Sequence, residues 1–185
     1  MRIPSRSRLA GQCPHASVPD LSGLAGIMNG VDDEIIRLIT EHTAGLVGAI
    51  VPDGEGACLG TSAVLARVLV DQGEPVTLVR GTYDEHAHWW LLTARLRLDA
   101  TRRQFSLTEP FVEVLAADAA RDEIPYVVEE TFPARWTHEE AAIEFARMFT
   151  YHDVGLQHGR RLLRSLGNFA ARTWLPAVPA TAGQG

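Results

Sequence analysis

Apolar and polar residues recur along this chain with two different periods, and the elements change where the period changes. From Val31, "VDDEIIRLITEHTAGLVG" opens with acidic residues suited to a first helical turn. It then places Ile35, Leu38, Ile39 and, after a gap, Leu46 at helical spacing, which predicts an amphipathic helix. "VPDGEG" interrupts that pattern with the residue types of a loop. A broad apolar stripe follows between Ala57 and Gln72, made of Leu59, Ala63, Leu65, Ala66, Leu69 and Val70. Gly73 stands where a left-handed helix cap is expected. The period then shortens to that of a strand. "EPVTLVRGTY" and "HAHWWLLTA" are β-rich, and "RLRLDAT" alternates apolar and charged residues. Their short connections predict an antiparallel meander. A short helix is expected around Asp118 to Asp122 and a further strand in "IPYVVEETF". "THEEAAIEFARMF" returns to helical spacing behind Thr137, with Glu140 three residues on as a capping box, and "GLQHGRRLLRSLGNFAAR" predicts a last helix.

These elements describe one α+β domain over residues 21–175, between a Pro-, Ser- and Arg-rich flexible arm (1–20) and a disordered tail (176–185). A chain of 185 residues is long enough to bury a sizeable core without staples. With 46% hydrophobic and 22% charged residues, its composition is that of a soluble globular protein. The net charge of -6 leaves no basic stripe for phosphates, so nucleic acid is not an expected partner. No window is apolar for long enough to cross a membrane. The first twenty residues carry arginines but no apolar centre, which is not a signal peptide, so a cytoplasmic, reducing location is expected. Cys13 and Cys58 cannot form a multi-disulfide framework and lack C-x-x-C spacing, which leaves Cys58 a free thiol. All 17 basic residues are arginine. Codon usage in a GC-rich genome explains that, although an enzyme with a reactive acyl intermediate would also gain from having no lysine to acylate.

The chemistry centres on "GACLGTSAVLARVL", where Cys58 stands at the start of a helix. A free thiol is mostly protonated at neutral pH, and a helix N-terminus or an imidazolium lowers its pKa. The first-turn amides can also donate to an oxyanion. A base must come from a histidine, and of the seven only His86 and His88 lie in an apolar strand with aromatic company. Being two apart, they share a face. Asp99 lies on the next strand, and a hairpin turning near Ala94 and Arg95 returns it to the histidine region, where a carboxylate can hold an imidazole by its other nitrogen. Trp89 and Trp90 point to opposite faces, and Trp90, on the histidine face, is a candidate wall of a substrate pocket, with His86 at its rim.

Cysteine at a helix start, "HWWLL" in one strand and "LRLDATRRQF" ending the next resemble the transglutaminase-like branch of the papain-like cysteine enzymes over residues 55–105. Gln104 and Phe105 extend the match, because D-x-T-x-x-Q-F recurs in bacterial members. The resemblance implies a papain-like α+β core, with N-terminal helices packed on an antiparallel sheet and further helices after it. It also implies a Cys-His-Asp triad, with Cys58 as nucleophile, His88 as general base and acid, and Asp99 as its orienting partner. Gln104 joins His86 and Trp90 as an expected substrate-pocket residue. The implied activity is acyl transfer through a cysteinyl thioester, as peptidase, amidase or amide-forming acyltransferase on a peptide or small acyl substrate, without metal or other cofactor. The glutamine that papain-like enzymes often carry shortly before the cysteine has no counterpart in "AIVPDGEG".

Other classes remain open on the same residues. His86 and His88 form an H-x-H pair that could hold a divalent metal with Cys58 or Asp99, which would make this a binding module that retains the fold. A toxin or effector domain that modifies a protein partner would use the same triad. Arg102 and Arg103 could meet a substrate carboxylate, and Glu129 and Glu130 read as a solvated pair.

Overall fold

A computed structural model describes residues 32–52, 56–105, 112–116 and 126–174. The arm, the tail, Cys13 and the helix expected around Asp118 to Asp122 lie outside these residues. Among the described residues the fold is α+β, with four helices and one five-stranded antiparallel sheet. The helices are α1 (Asp33–Gly48), α2 (Cys58–Asp71), α3 (His138–Ala146) and α4 (His152–Thr173). The strands are β1 (Thr77–Tyr83), β2 (His86–Leu92), β3 (Leu96–Asp99), β4 (Glu113–Ala116) and β5 (Tyr126–Pro133), in the order β4-β3-β2-β1-β5. No described helix is long and apolar enough to cross a membrane.

The predicted meander forms as β1, β2 and β3. Its second turn falls on Ala94 and Arg95, where Thr93 Oγ1 accepts from the Arg95 and Leu96 amides (3.2 and 3.0 Å). The Thr93 amide in turn donates to the Leu96 carbonyl (2.8 Å). That turn sets the register Leu91↔Leu98, and the flanking pairs Leu78↔Leu91 and Leu98↔Val114 complete one apolar row across four strands. The row belongs to the core shared with Ile36 and Ile39 of α1, Leu65 and Leu69 of α2, Phe145 of α3 and Leu166 of α4. The helix ends follow their local chemistry. Gly73, at φ +84°, takes the left-handed position after α2, and the Gly73 and Glu74 amides close back on the Val70 and Leu69 carbonyls (3.0 Å each). Thr137 and Glu140 form the reciprocal capping box that starts α3.

Three sequence expectations are corrected. The buried face of α1 is Ile36, Ile39, Thr40, Thr43, Ala44 and Val47, whereas Leu38 is 38% exposed and Ile35 and Leu46 are half-buried. Thr40 and Thr43 can sit inside because their hydroxyls donate to the Ile36 and Ile39 carbonyls (2.8 and 2.7 Å). This fills the gap in the apolar pattern. The helix α2 is buried nearly all round from Gly60 to Leu69, because β2, α3, α4 and α1 all pack on it. The short strand β4 was not expected at all; its four residues carry too little alternation to stand out.

Candidate active site

The site is built where α2 begins and β2, β3 and β5 come together. Ala57, the residue before α2, offers no side-chain cap, so the helix opens directly on Cys58. Cys58 is a free thiol and partly exposed. On β2, His88 is completely buried, and so is Asp99 at the end of β3. The β2–β3 ladder ends at Leu91↔Leu98. His88 and Asp99 lie past this last rung, and their side chains meet there, His88 Nε2 standing 2.7 Å from Asp99 Oδ2. Cys58 lies near enough to the same imidazole to favour its charged form. The structure therefore brings together the three residues that the sequence singled out, and of the three only the cysteine meets solvent.

Asp99 is the electrostatic centre of the group. Its Oδ1 accepts from the Thr101 amide (2.9 Å) and hydroxyl (3.3 Å), and its Oδ2 accepts from the Tyr126 hydroxyl (2.6 Å) as well as from the imidazole. Burial works against ionisation, but the His88 hydrogen bond and charge, with Tyr126 and Thr101, outweigh it and hold the carboxyl below its ordinary value. For His88 burial acts in the opposite sense and would lower the pKa. The Asp99 hydrogen bond and charge, and the interaction with Cys58, outweigh it and raise the value to about 9. Burial, then Asp99, push the Tyr126 phenol above its ordinary value, so it remains a donor at neutral pH.

Aromatic rings fix the plane of the imidazole. Phe105 meets it edge-on at 4.7 Å, and Trp90 stacks on it at 5.8 Å and 26°. Trp90 is 1% exposed, so it backs the imidazole and is not the wall of an open pocket as expected. The indole is admitted by Gly81, opposite His88 on β1, where a Cβ would come within 2.7 Å of Trp90 Cη2 and would collide with the Val127 carbonyl. The open position belongs to its neighbour. Trp89 lines a cleft of about 310 Å³ with Leu59, Phe132, Trp136 and Glu144. His86 is exposed, as expected of a rim residue, and stacks on Phe105 at 6.0 Å. Gln104, expected in the substrate pocket, holds the imidazole directly, its Nε2 standing 2.8 Å from His88 Nδ1.

Tyr126 escaped the sequence reading, and Thr101 entered it only as part of the matched motif, without a role. Thr101 sits inside the quoted "LDAT" and was legible there as a turn residue able to bond back to Asp99. Nothing local marks Tyr126, because its role depends on β5 pairing with β1. Arg102 is already engaged. It donates to the Tyr83 hydroxyl (3.0 Å) and forms an ion pair with Glu113, which also stands 3.5 Å from Arg97 Nη2. Glu129 and Glu130 are half-exposed partners of Arg80 (3.6 and 3.4 Å). Among the described residues no three His, Cys, Asp or Glu side chains converge as a metal site. No protein-family model, curated protein or solved structure matches this chain.

Proposed function

We propose that this protein is a cysteine-dependent acyl-transfer enzyme of transglutaminase-like type, with Cys58 as nucleophile, His88 as general base and acid, and Asp99 as the group that orients His88. One observation carries the reading: a buried imidazole holds Asp99 on its Nε2 at 2.7 Å and has its charged form favoured by a nearby, partly exposed thiol that starts a helix. A nucleophile, a base in reach of it and a third group that orients the base are the minimal parts of nucleophilic catalysis. In the proposed sequence the Cys58 sulfur attacks the carbonyl of a peptide or small acyl substrate while His88 holds its proton. The tetrahedral oxyanion would be met by the first-turn amides of α2. As the carbon–leaving group bond breaks, His88 returns the proton to the departing amine, which leaves a thioester. Water, as in a peptidase or amidase, or an acceptor amine, as in an amide-forming transferase, then gives up a proton to His88 and attacks the thioester; the carbon–sulfur bond breaks, His88 returns the proton to the Cys58 sulfur, and the acid or new amide departs.

The deciding experiment is the pH dependence of Cys58 alkylation by iodoacetamide, followed by intact mass, in the wild type and in His88→Ala. The expected result is a reaction that persists well below the free-thiol pKa of ~8.5 in the wild type and follows a free thiol in the variant. An unreactive cysteine, or the same profile in both proteins, sinks the proposal.

A further inference from the structure

The Asp99 carboxylate has about four lone-pair sites, and four donors converge on it. Thr101 places two on Oδ1, and the other two share a single oxygen, with His88 Nε2 at 2.7 Å and the Tyr126 hydroxyl at 2.6 Å from Oδ2. The phenol is held in place by its ring. Arg97 lies 4.3 Å above it, Tyr83 stands 4.8 Å away and Trp90 5.0 Å away. We propose that Tyr126 is a positioning residue that shares Asp99 Oδ2 with His88 and so limits how firmly the carboxylate holds the imidazole in its charged form. The inference rests on the Cys58–His88–Asp99 reading and gives that site a tuning element.

The physical case is competition at one acceptor. Negative charge on Oδ2 that is drawn toward a phenolic hydrogen is less available to the imidazolium N–H. A general acid and base must release its proton as readily as it takes it, and a fully buried ion pair with no competitor would hold that proton too tightly. The other groups around His88 leave this role to Tyr126. Cys58 from α2 favours the charged ring, Tyr83 from β1 gives its hydroxyl to Arg102 as an acceptor, and Gln104 is neutral. Arg97 and Arg102 face the Tyr126–Asp99 bond and share the one carboxylate of Glu113 of β4, while His86 is exposed and stacks on Phe105.

The test is an NMR titration of the imidazole resonances in the full chain, with His88 identified by the signal absent from His88→Gln. In Tyr126→Phe, which keeps the ring contacts, the His88 midpoint is expected to rise by about half a unit or more, roughly a threefold tighter hold on the proton. A smaller change is expected in Thr101→Val, which removes a donor only from Oδ1. A structural prop would behave in the opposite way, because a loosened Asp99 would let His88 fall back toward its ordinary 6.5. Incorporation of 3-fluorotyrosine, whose phenol is a stronger donor, provides a second measurement without a change of fold and is expected to lower the midpoint. An unchanged or lowered midpoint in Tyr126→Phe, or an unchanged or raised one with fluorotyrosine, overturns the proposal. A wild-type His88 that titrates at its ordinary value, and does so equally in Cys58→Ser, overturns the triad reading and this inference with it. That failure shows in the wild type and in Cys58→Ser, before any change at Tyr126 is made.

Discussion

His88 and Asp99 show how two buried titratable groups tie stability to pH. His88 has a folded value of about 9 against an ordinary 6.5, so its contribution to stability is full below 6.5 and is lost as pH rises through about 9. Asp99 is depressed below its ordinary 3.8, so its contribution is full above that value and is lost as pH falls through the lowered one. The pair therefore stabilises the fold most between 3.8 and 6.5, and the alkaline loss amounts to up to about 3 kcal/mol. Urea midpoints taken at roughly pH 6 and pH 9 are expected to fall more in the wild type than in His88→Gln. An equal fall in the two proteins would assign the effect to other groups. At this scale much was legible in the sequence. Cys58, His88 and Asp99 were singled out because a helix start, a two-residue repeat and a tight hairpin are local features. Which of Trp89 and Trp90 would be open to solvent was not local, because it depended on the space above Gly81.

The β1–β2 hairpin carries a different kind of constraint. Tyr83↔His86 leaves Asp84 and Glu85 as its two loop residues, at φ 46° and 70°. This is the left-handed region that glycine occupies without cost and other residues enter at roughly 1 kcal/mol or more. Glu85→Gly is accordingly expected to stabilise the protein by about 1 kcal/mol, read as a rise in Tm of roughly 2–4 °C. An unchanged or lower Tm would mean that the glutamate makes a compensating contact. Gly81→Ala is expected to act in the opposite direction, because its Cβ would strike both the Val127 carbonyl on β5 and the Trp90 ring that backs His88. Loss of stability should therefore come with an altered pH profile of Cys58 alkylation, and a profile identical to the wild type would show that Trp90 does not hold the imidazole. The strands β1 and β2 were readable from their β-rich runs and β3 from its alternation, with short connections between them. The strand β4 was not, and the buried threonines of α1 hid its true inward face.

At the scale of the molecule, the start of α2 is held between the sheet and α3. Gly60, two residues after Cys58, lies so close to α3 that a Cβ would come within 2.8 Å of Phe145 Cα. Phe145 is fully buried in the core shared by all four helices and the sheet. Phe145→Ala is expected to cost about 3–5 kcal/mol in urea unfolding, a large share of the stability of a typical domain. A cost below about 1 kcal/mol would show that α3 does not clamp α2 in this way.

By itself the sequence determined the elements and the residues capable of chemistry. Helical and strand periods, a capping box, a glycine cap and a hairpin turning near Ala94 and Arg95 are written within a few residues of one another. The tertiary structure decided which of those residues meet. Tyr126 reaches Asp99 only because β5 pairs with β1, and Gln104 turns to the imidazole only because the chain doubles back after β3. Trp90 lies behind His88 only because the strand opposite offers a glycine. Such contacts depend on the packing of segments far apart in the chain, and no local pattern encodes a partner whose position is set by other strands.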